Sequence, residues 1–128
     1  MKKMGDVERL QHILDAIERI ESFLLLVDAQ TFSASQEKQM AVCMGFTFIG
    51  EAARNLTADF CFLHSEIPWA KIVGMRNYLV HDYVRIDYDA VWNTAHNDLP
   101  VLKAKITGIL AELQPQKKPE KSLKHPKI

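Results

Sequence analysis

Residues 7–27 read VERLQHILDAIERIESFLLLV and carry the clearest periodicity in the chain. Their apolar side chains return at steps of three and four residues, which is the period of an amphipathic helix. Asp6 precedes this run and is a suitable N-cap residue. The stretch predicts a first helix with one buried face, formed by Val7, Leu10, Ile13, Leu14, Ile17, Ile20, Leu24 and Val27.

A second periodic stretch covers residues 36–56, after a polar break at residues 30–35. Ser33 or Ser35 can cap it. Gly45 and Gly50 lower helix stability, so we expect both to mark the close approach of another helix. Apolar residues fill most of its turns and predict an almost fully buried helix, with Met40, Cys43, Met44, Phe48, Ile49 and Ala52 in the core.

Two further helices complete the predicted fold. The third covers residues 68–81, because Pro68 is well suited to a first helical turn. The fourth covers residues 87–113 and contains Pro100, which either kinks the helix or starts a new one capped by Asp98. No alternating pattern long enough for a strand is present. The sequence therefore predicts an all-α antiparallel bundle of four to five helices.

Length and charge set the domain organisation. The chain has 128 residues, with 16 Lys and Arg against 16 Asp and Glu, so one domain is expected and binding of nucleic acid through bulk positive charge is not. Residues 117–128 carry five lysines against one glutamate. We therefore divide the chain into a helical domain, residues 1–113, and a basic tail, residues 114–128, that we expect to be disordered.

The two cysteines, Cys43 and Cys61, form no C-x-x-C pair, and the chain has no signal-like start. These features predict a reduced, cytoplasmic protein. The apolar runs are too short to cross a bilayer, so no membrane association is expected.

Residues 75–83, MRNYLVHDY, concentrate the side chains that could carry chemistry. Asn77 and His81 lie one helical turn apart, and Arg76 flanks their face. An arginine binds phosphate oxygens in a bidentate manner, and a histidine can transfer a proton at neutral pH. The alternative is purely structural: a histidine near a helix C-terminus, and a surface arginine paired with Asp82.

Arg76, His81 and Tyr83 together form the motif R-x4-H-x-Y, with the polar Asn77 directly after the arginine. This motif resembles that of HEPN domains, and specifically of the HepT-like toxins that pair with minimal nucleotidyltransferase antitoxins. Similarity extends over residues 7–113 and includes Ile49-Gly50-Glu51-Ala52-Ala53, Ile67-Pro68-Trp69, Ile72-Val73-Gly74-Met75-Arg76-Asn77, Val91-Trp92-Asn93 and Asn97-Asp98-Leu99-Pro100.

The resemblance implies a HEPN-like homodimer in which two copies of the motif face one cleft and cleave RNA without a metal or other cofactor. It implies that His81 transfers protons, that Arg76 stabilises charge on the transition state and that Asn77 positions these groups. It also implies that Tyr83 accepts AMP from the antitoxin, which would neutralise the toxin. The alternative function is a non-catalytic helical subunit that binds nucleotide or substrate for a nucleotidyltransferase.

Two weaker candidates remain. Glu51 and Arg54 on the second helix could support the cleft, with the glutamate holding an arginine or histidine in place, although a surface ion pair at this spacing is an equal alternative. Cys61 and His64, followed by Glu66, resemble half of a metal site, but no second pair completes it. We therefore expect no metal centre.

Overall fold

The helix Gln36–Arg54, α3, is the central helix of the bundle and packs most extensively against the helices Asp6–Phe23, α1, and Trp69–His81, α5. The computed structural model describes residues 4–113, so the predicted tail, residues 114–128, lies outside the described part of the chain. A short 3-10 helix at Tyr83–Arg85 follows α5, and the α-helices are α1 Asp6–Phe23, α2 Ala29–Ala34, α3 Gln36–Arg54, α4 Ala58–Leu63, α5 Trp69–His81, α6 Tyr88–Asn97 and α7 Leu99–Leu113.

The all-α prediction is confirmed, and the described residues contain seven α-helices. Two of these, α2 and α4, have six residues each. α2 covers most of the stretch that we predicted as a polar break. The Asp28 carboxylate accepts from the Thr31 N–H at its start, and the buried Phe32 anchors it. The sequence left open whether Pro100 kinks one helix or starts a new one. α6 ends at Asn97 and α7 begins at Leu99, so Pro100 belongs to the first turn of a new helix.

The core follows the predicted periodicity of the first helix. Leu10, Ile13, Ile17 and Ile20 of α1 are almost completely buried. They pack with α3, α5, α6 and α7 in one cluster that includes Val42, Phe46, Ile49, Leu79, Val91, Leu99, Leu102, Ile106 and Ile109. Among residues 4–113, no helix has both the length and the apolar character that a membrane span requires.

The prediction for the start of α1 is wrong. Gly5 is the N-cap residue, and Asp6 is the first residue of the helix. The Asp6 carboxylate instead accepts from the Thr57 N–H at 2.9 Å and from the Thr57 hydroxyl at 2.7 Å. Because Thr57 follows α3, this contact brings the start of α1 to the end of α3, so the two helices run antiparallel.

The prediction that α3 is almost fully buried is also wrong. Ser35 caps this helix as expected, its hydroxyl accepting from the Lys38 N–H at 3.2 Å. However, Met40, Met44 and Phe48 are 71%, 54% and 51% exposed. These three side chains follow one another at four-residue steps, so they form a stripe along one face of α3. We call this face the apolar stripe.

Candidate active site

α5 carries the motif, and its position is fixed at its start. Pro68 is the N-cap residue, and the preceding Ile67 is 1% exposed. The Trp69 indole N–H donates to the His64 carbonyl oxygen at 3.0 Å. These contacts hold the first turn of α5 against the end of α4.

Gly50 explains why α5 lies so close to α3. A Cβ atom at this position would collide with the Arg76 Cβ, and it would lie 2.9 Å from the Arg76 Cγ and 3.1 Å from the Ile72 carbonyl oxygen. The close approach predicted at Gly50 is therefore confirmed, and the neighbour is the motif arginine. Gly45 likewise faces Ile20 of α1. The absence of a side chain at Gly50 allows the stem of Arg76 to lie directly on the α3 backbone.

The Arg76 guanidinium lies between two acceptors. Its Nη1 donates to the Asn77 Oδ1 at 2.8 Å, and its Nη2 is 3.5 Å from the Glu51 Oε1. The side chain is only 20% exposed, and its Nε is buried without a hydrogen-bond partner among the described residues. The predicted association of Arg76 with Asn77 therefore exists, whereas the alternative pairing with Asp82 is not found in residues 4–113.

Glu51 joins the two helices on the polar side of this contact. Its Oε2 is 3.6 Å from the Arg54 Nη2 and accepts from the Asn55 Nδ2 at 3.3 Å. The same Asn55 amide donates to the Glu51 carbonyl oxygen at 2.8 Å. We call Glu51, Arg54, Asn55, Arg76 and Asn77 the arginine cluster. Sequence reasoning missed Asn55, although its spacing of four residues from Glu51 could have indicated it.

His81 and Tyr83 lie at the end of α5 and just after it. His81 is the last residue of the helix, is exposed and follows Asn77 by one turn. Tyr83 begins the 3-10 helix and is 70% exposed. Within residues 4–113, no hydrogen bond or ion pair connects either side chain to the arginine cluster. Both are therefore open to a substrate or partner.

Tyr78 fixes the segment that carries Tyr83. Its hydroxyl oxygen accepts from the Asp87 N–H at 2.7 Å, and the hydroxyl donates to the Arg85 carbonyl oxygen at 3.4 Å. Asp87 also caps α6, because its carboxylate accepts from the N–H groups of the second and third following residues. The chain on both sides of the 3-10 helix is thus attached to the bundle.

The second weak candidate, Cys61 with His64 and Glu66, does not form a metal site within residues 4–113. The His64 Nδ1 is 3.9 Å from the Glu66 carboxylate, and Cys61 is a free thiol whose pKa is raised by burial and by the nearby Asp6 charge. Across residues 4–113, no group of three His, Cys, Asp or Glu side chains is arranged to hold a metal ion.

A known protein family matches the part of the chain that carries these residues. The sequence profile of the family described as Ribonuclease HepT-like matches residues 13–109. The chain belongs to this family. Membership identifies the HepT-like chain as a ribonuclease of the HEPN type, which confirms the resemblance drawn from its motif. The matched range contains the arginine cluster, His81 and Tyr83.

Individual relatives agree with the family. The HepT-like chain is 38% identical over 103 residues to the "Probable ribonuclease HepT" of Thermococcus cleftensis, covering 80% of this chain and 94% of the relative. It is 32% identical over 101 residues to a proposed RNase of Caldanaerobacter subterraneus, covering 79% and 90% of the two chains.

A third relative joins two activities in its name. It is a gamma-glutamylcyclotransferase and proposed RNase of Methanocaldococcus jannaschii, 35% identical over 108 residues, and the HepT-like chain spans 84% of itself but 49% of that protein. A comparison with solved structures gives no match.

Proposed function

We propose that this HepT-like protein is a toxin that cleaves RNA at Arg76, Asn77 and His81 without a metal ion. The observation that carries the proposal is the Arg76 guanidinium, held by Glu51 and by Asn77, which lies one helical turn before the exposed His81. A cation fixed in this way can bind a phosphodiester without being reorganised during the reaction.

The reaction begins at the ribose. The 2′-hydroxyl oxygen attacks phosphorus, the bond from phosphorus to the 5′ oxygen breaks, and the products are a 2′,3′-cyclic phosphate and a 5′-hydroxyl. Arg76 stabilises the negative charge that develops on the non-bridging oxygens. Asn77 holds the guanidinium in position. One imidazole accepts the 2′-hydroxyl proton, and a second donates a proton to the leaving oxygen.

A homodimer supplies the second imidazole, because one His81 cannot be acid and base in the same step. The apolar stripe supports this arrangement. The stripe runs along α3 from Met40 to Phe48, and Glu51 of the arginine cluster follows about one turn later. Two copies that meet through this stripe would therefore bring their two arginine clusters towards the same interface. Three large apolar side chains on one exposed face are typical of an interface.

Tyr83 is the proposed point of control. Its exposed hydroxyl can attack the α-phosphate of ATP in the active site of a nucleotidyltransferase antitoxin, forming the tyrosyl–AMP bond and releasing pyrophosphate. The added phosphate is negatively charged and lies two residues from His81, so it repels the RNA backbone. Toxin and antitoxin act together in the cytoplasm in this scheme.

Cleavage of RNA in the presence of a chelator tests the activity. The wild type should cleave, whereas His81→Ala and Arg76→Lys should lose at least about 100-fold in kcat/KM, the usual contribution of an acid–base group or an oxyanion-type contact. His12→Ala is the matched control, because His12 is an exposed histidine on α1. Retention of full activity by His81→Ala, with an unchanged circular dichroism spectrum, would refute the assignment. Absence of cleavage by the wild type would favour the non-catalytic alternative.

The dimer and the modification have separate tests. Phe48→Glu should shift the sedimentation coefficient to that of a monomer, while Phe62→Glu should not, although Phe62 is also exposed, at 82%. Incubation with the antitoxin and ATP should add AMP units to Tyr83, detected by peptide mass spectrometry. AMP on another residue, or a monomeric wild type, would contradict these parts of the proposal.

A further inference from the structure

One carboxylate in the arginine cluster serves two arginines on two helices. Glu51 faces Arg76 of α5 with Oε1 and Arg54 of α3 with Oε2, at 3.5 and 3.6 Å. The two guanidinium groups are therefore adjacent, and the Asn55 amide donates to the Glu51 Oε2 at 3.3 Å and so helps to hold the carboxylate between them. A pair of cations with one shared anion has a net positive charge.

The two arginines differ in exposure. The Arg76 side chain is 20% exposed and packed on Gly50, whereas the Arg54 side chain is 52% exposed. Arg76 can thus present its Nη edge to one fixed position, and Arg54 reaches outward to a neighbouring position. Successive phosphates of an RNA strand offer two negative charges side by side.

We propose that Arg54 binds the phosphate next to the one that is cleaved, with Glu51 as the positioning residue that sets the spacing of the two arginines. This inference rests on the proposed function, since it assumes that Arg76 contacts the scissile phosphate. The preferred substrate is therefore RNA with a second phosphodiester beside the cleavage point, and a dinucleotide with a single phosphate is a poor one.

The simpler role for Arg54 is a surface ion pair with Glu51 three residues earlier. Such a pair contributes little to stability and nothing to substrate choice. The two roles differ in what they predict for short substrates, because only a phosphate contact makes Arg54 sensitive to the number of phosphates in the substrate.

The test compares kcat/KM for a dinucleotide and for trinucleotides that extend it by one nucleotide on either side. For the wild type, one of the two extensions should raise kcat/KM by about 10-fold or more, as expected for one charge-assisted contact. In Arg54→Gln this gain, taken as the ratio of trinucleotide to dinucleotide kcat/KM for the same variant, should fall to less than about 2-fold. For a longer RNA, the slope of log kcat/KM against log salt concentration should be shallower by about 0.7 in Arg54→Gln than in the wild type.

Arg19→Gln is the matched control, because Arg19 is an exposed arginine on α1 that is paired with a carboxylate of its own helix, Asp15, four residues earlier. It should keep the full gain from the second phosphate. Glu51→Gln should lower kcat for the dinucleotide and also reduce the gain, since both arginines lose their support. If Arg54→Gln keeps the wild-type gain, the inference is wrong even though cleavage occurs. If the wild type cleaves none of the RNAs, the proposed function itself fails.

Discussion

Replacing Gly50 by alanine tests the close contact between α3 and α5. The new Cβ would meet the Arg76 Cβ and Cγ and the Ile72 carbonyl oxygen, and none of these is the flexible end of a side chain. Overpacking of a tight contact costs about 1–3 kcal/mol, and the collision with a Cβ and a backbone oxygen favours the upper end. Because alanine gains about 1 kcal/mol over glycine within a helix, we expect a net loss of about 2 kcal/mol in the free energy of unfolding.

The chain offers two matched controls. Gly74 on α5 and Gly108 on α7 are also helical glycines, but a Cβ at either position would have no neighbour within 4 Å. Gly74→Ala and Gly108→Ala should therefore stabilise the protein by up to about 1 kcal/mol. Gly74 is especially informative, because it lies two residues before Arg76 and outside the helix contact.

Thermal unfolding followed by circular dichroism measures these changes, and RNA cleavage at a temperature where all variants are folded measures the effect on the site. Gly50→Ala should lower the melting temperature by roughly 6–10 °C and reduce cleavage, since the Arg76 stem has to move. Gly74→Ala should keep its activity. A Gly50→Ala protein as stable as Gly74→Ala would refute the reasoning, because the packing contact would then cost nothing.

Two further predictions concern other parts of the fold. Asp6→Ala removes both acceptors of Thr57 and should lower the free energy of unfolding by about 1 kcal/mol, measured by urea titration; a change below about 0.3 kcal/mol would mean that water replaces the contact fully. Burial raises the pKa of the Cys43 thiol to about 11, so its thiolate is disfavoured in the folded state and stability should fall as pH rises above the unfolded thiol pKa. In a Cys61→Ser protein, the rate of iodoacetamide labelling should keep rising to about pH 11; a plateau near pH 9 would contradict this.

Periodicity predicted the helices that have long, one-sided apolar faces. It predicted α1, residue type left Ser33 and Ser35 as two possible caps of α3, of which Ser35 is the one observed, and the cost of a helical glycine correctly indicated the contact at Gly50. It failed at Met40 and Phe48, because hydrophobicity marks a residue as apolar without saying which surface covers it. When a helix is apolar on two faces, its own chain can bury only one of them.

The candidate site shows the same division between local and tertiary information. The contact between Arg76 and Asn77 follows from adjacency on one helix, and the pairing of Glu51 with Arg54 from a spacing of three residues. The bridge from Glu51 to Arg76 depends on the register of α3 against α5, which no local pattern contains. α2 was not predicted, because a six-residue helix is too short to show a helical repeat of apolar residues.

The hydrogen bonds of Tyr78 determine how the Tyr83 segment can move. Two bonds, to the Asp87 N–H and the Arg85 carbonyl oxygen, hold the 3-10 helix to the bundle. Breaking both costs about 1–3 kcal/mol, and full opening would also separate the partly buried Ile86 from the core, so the segment can open locally while α5 and α6 stay folded. The already exposed Tyr83 could therefore move further from the bundle while the HepT-like protein stays folded, and amide exchange at Asp87 would report each opening.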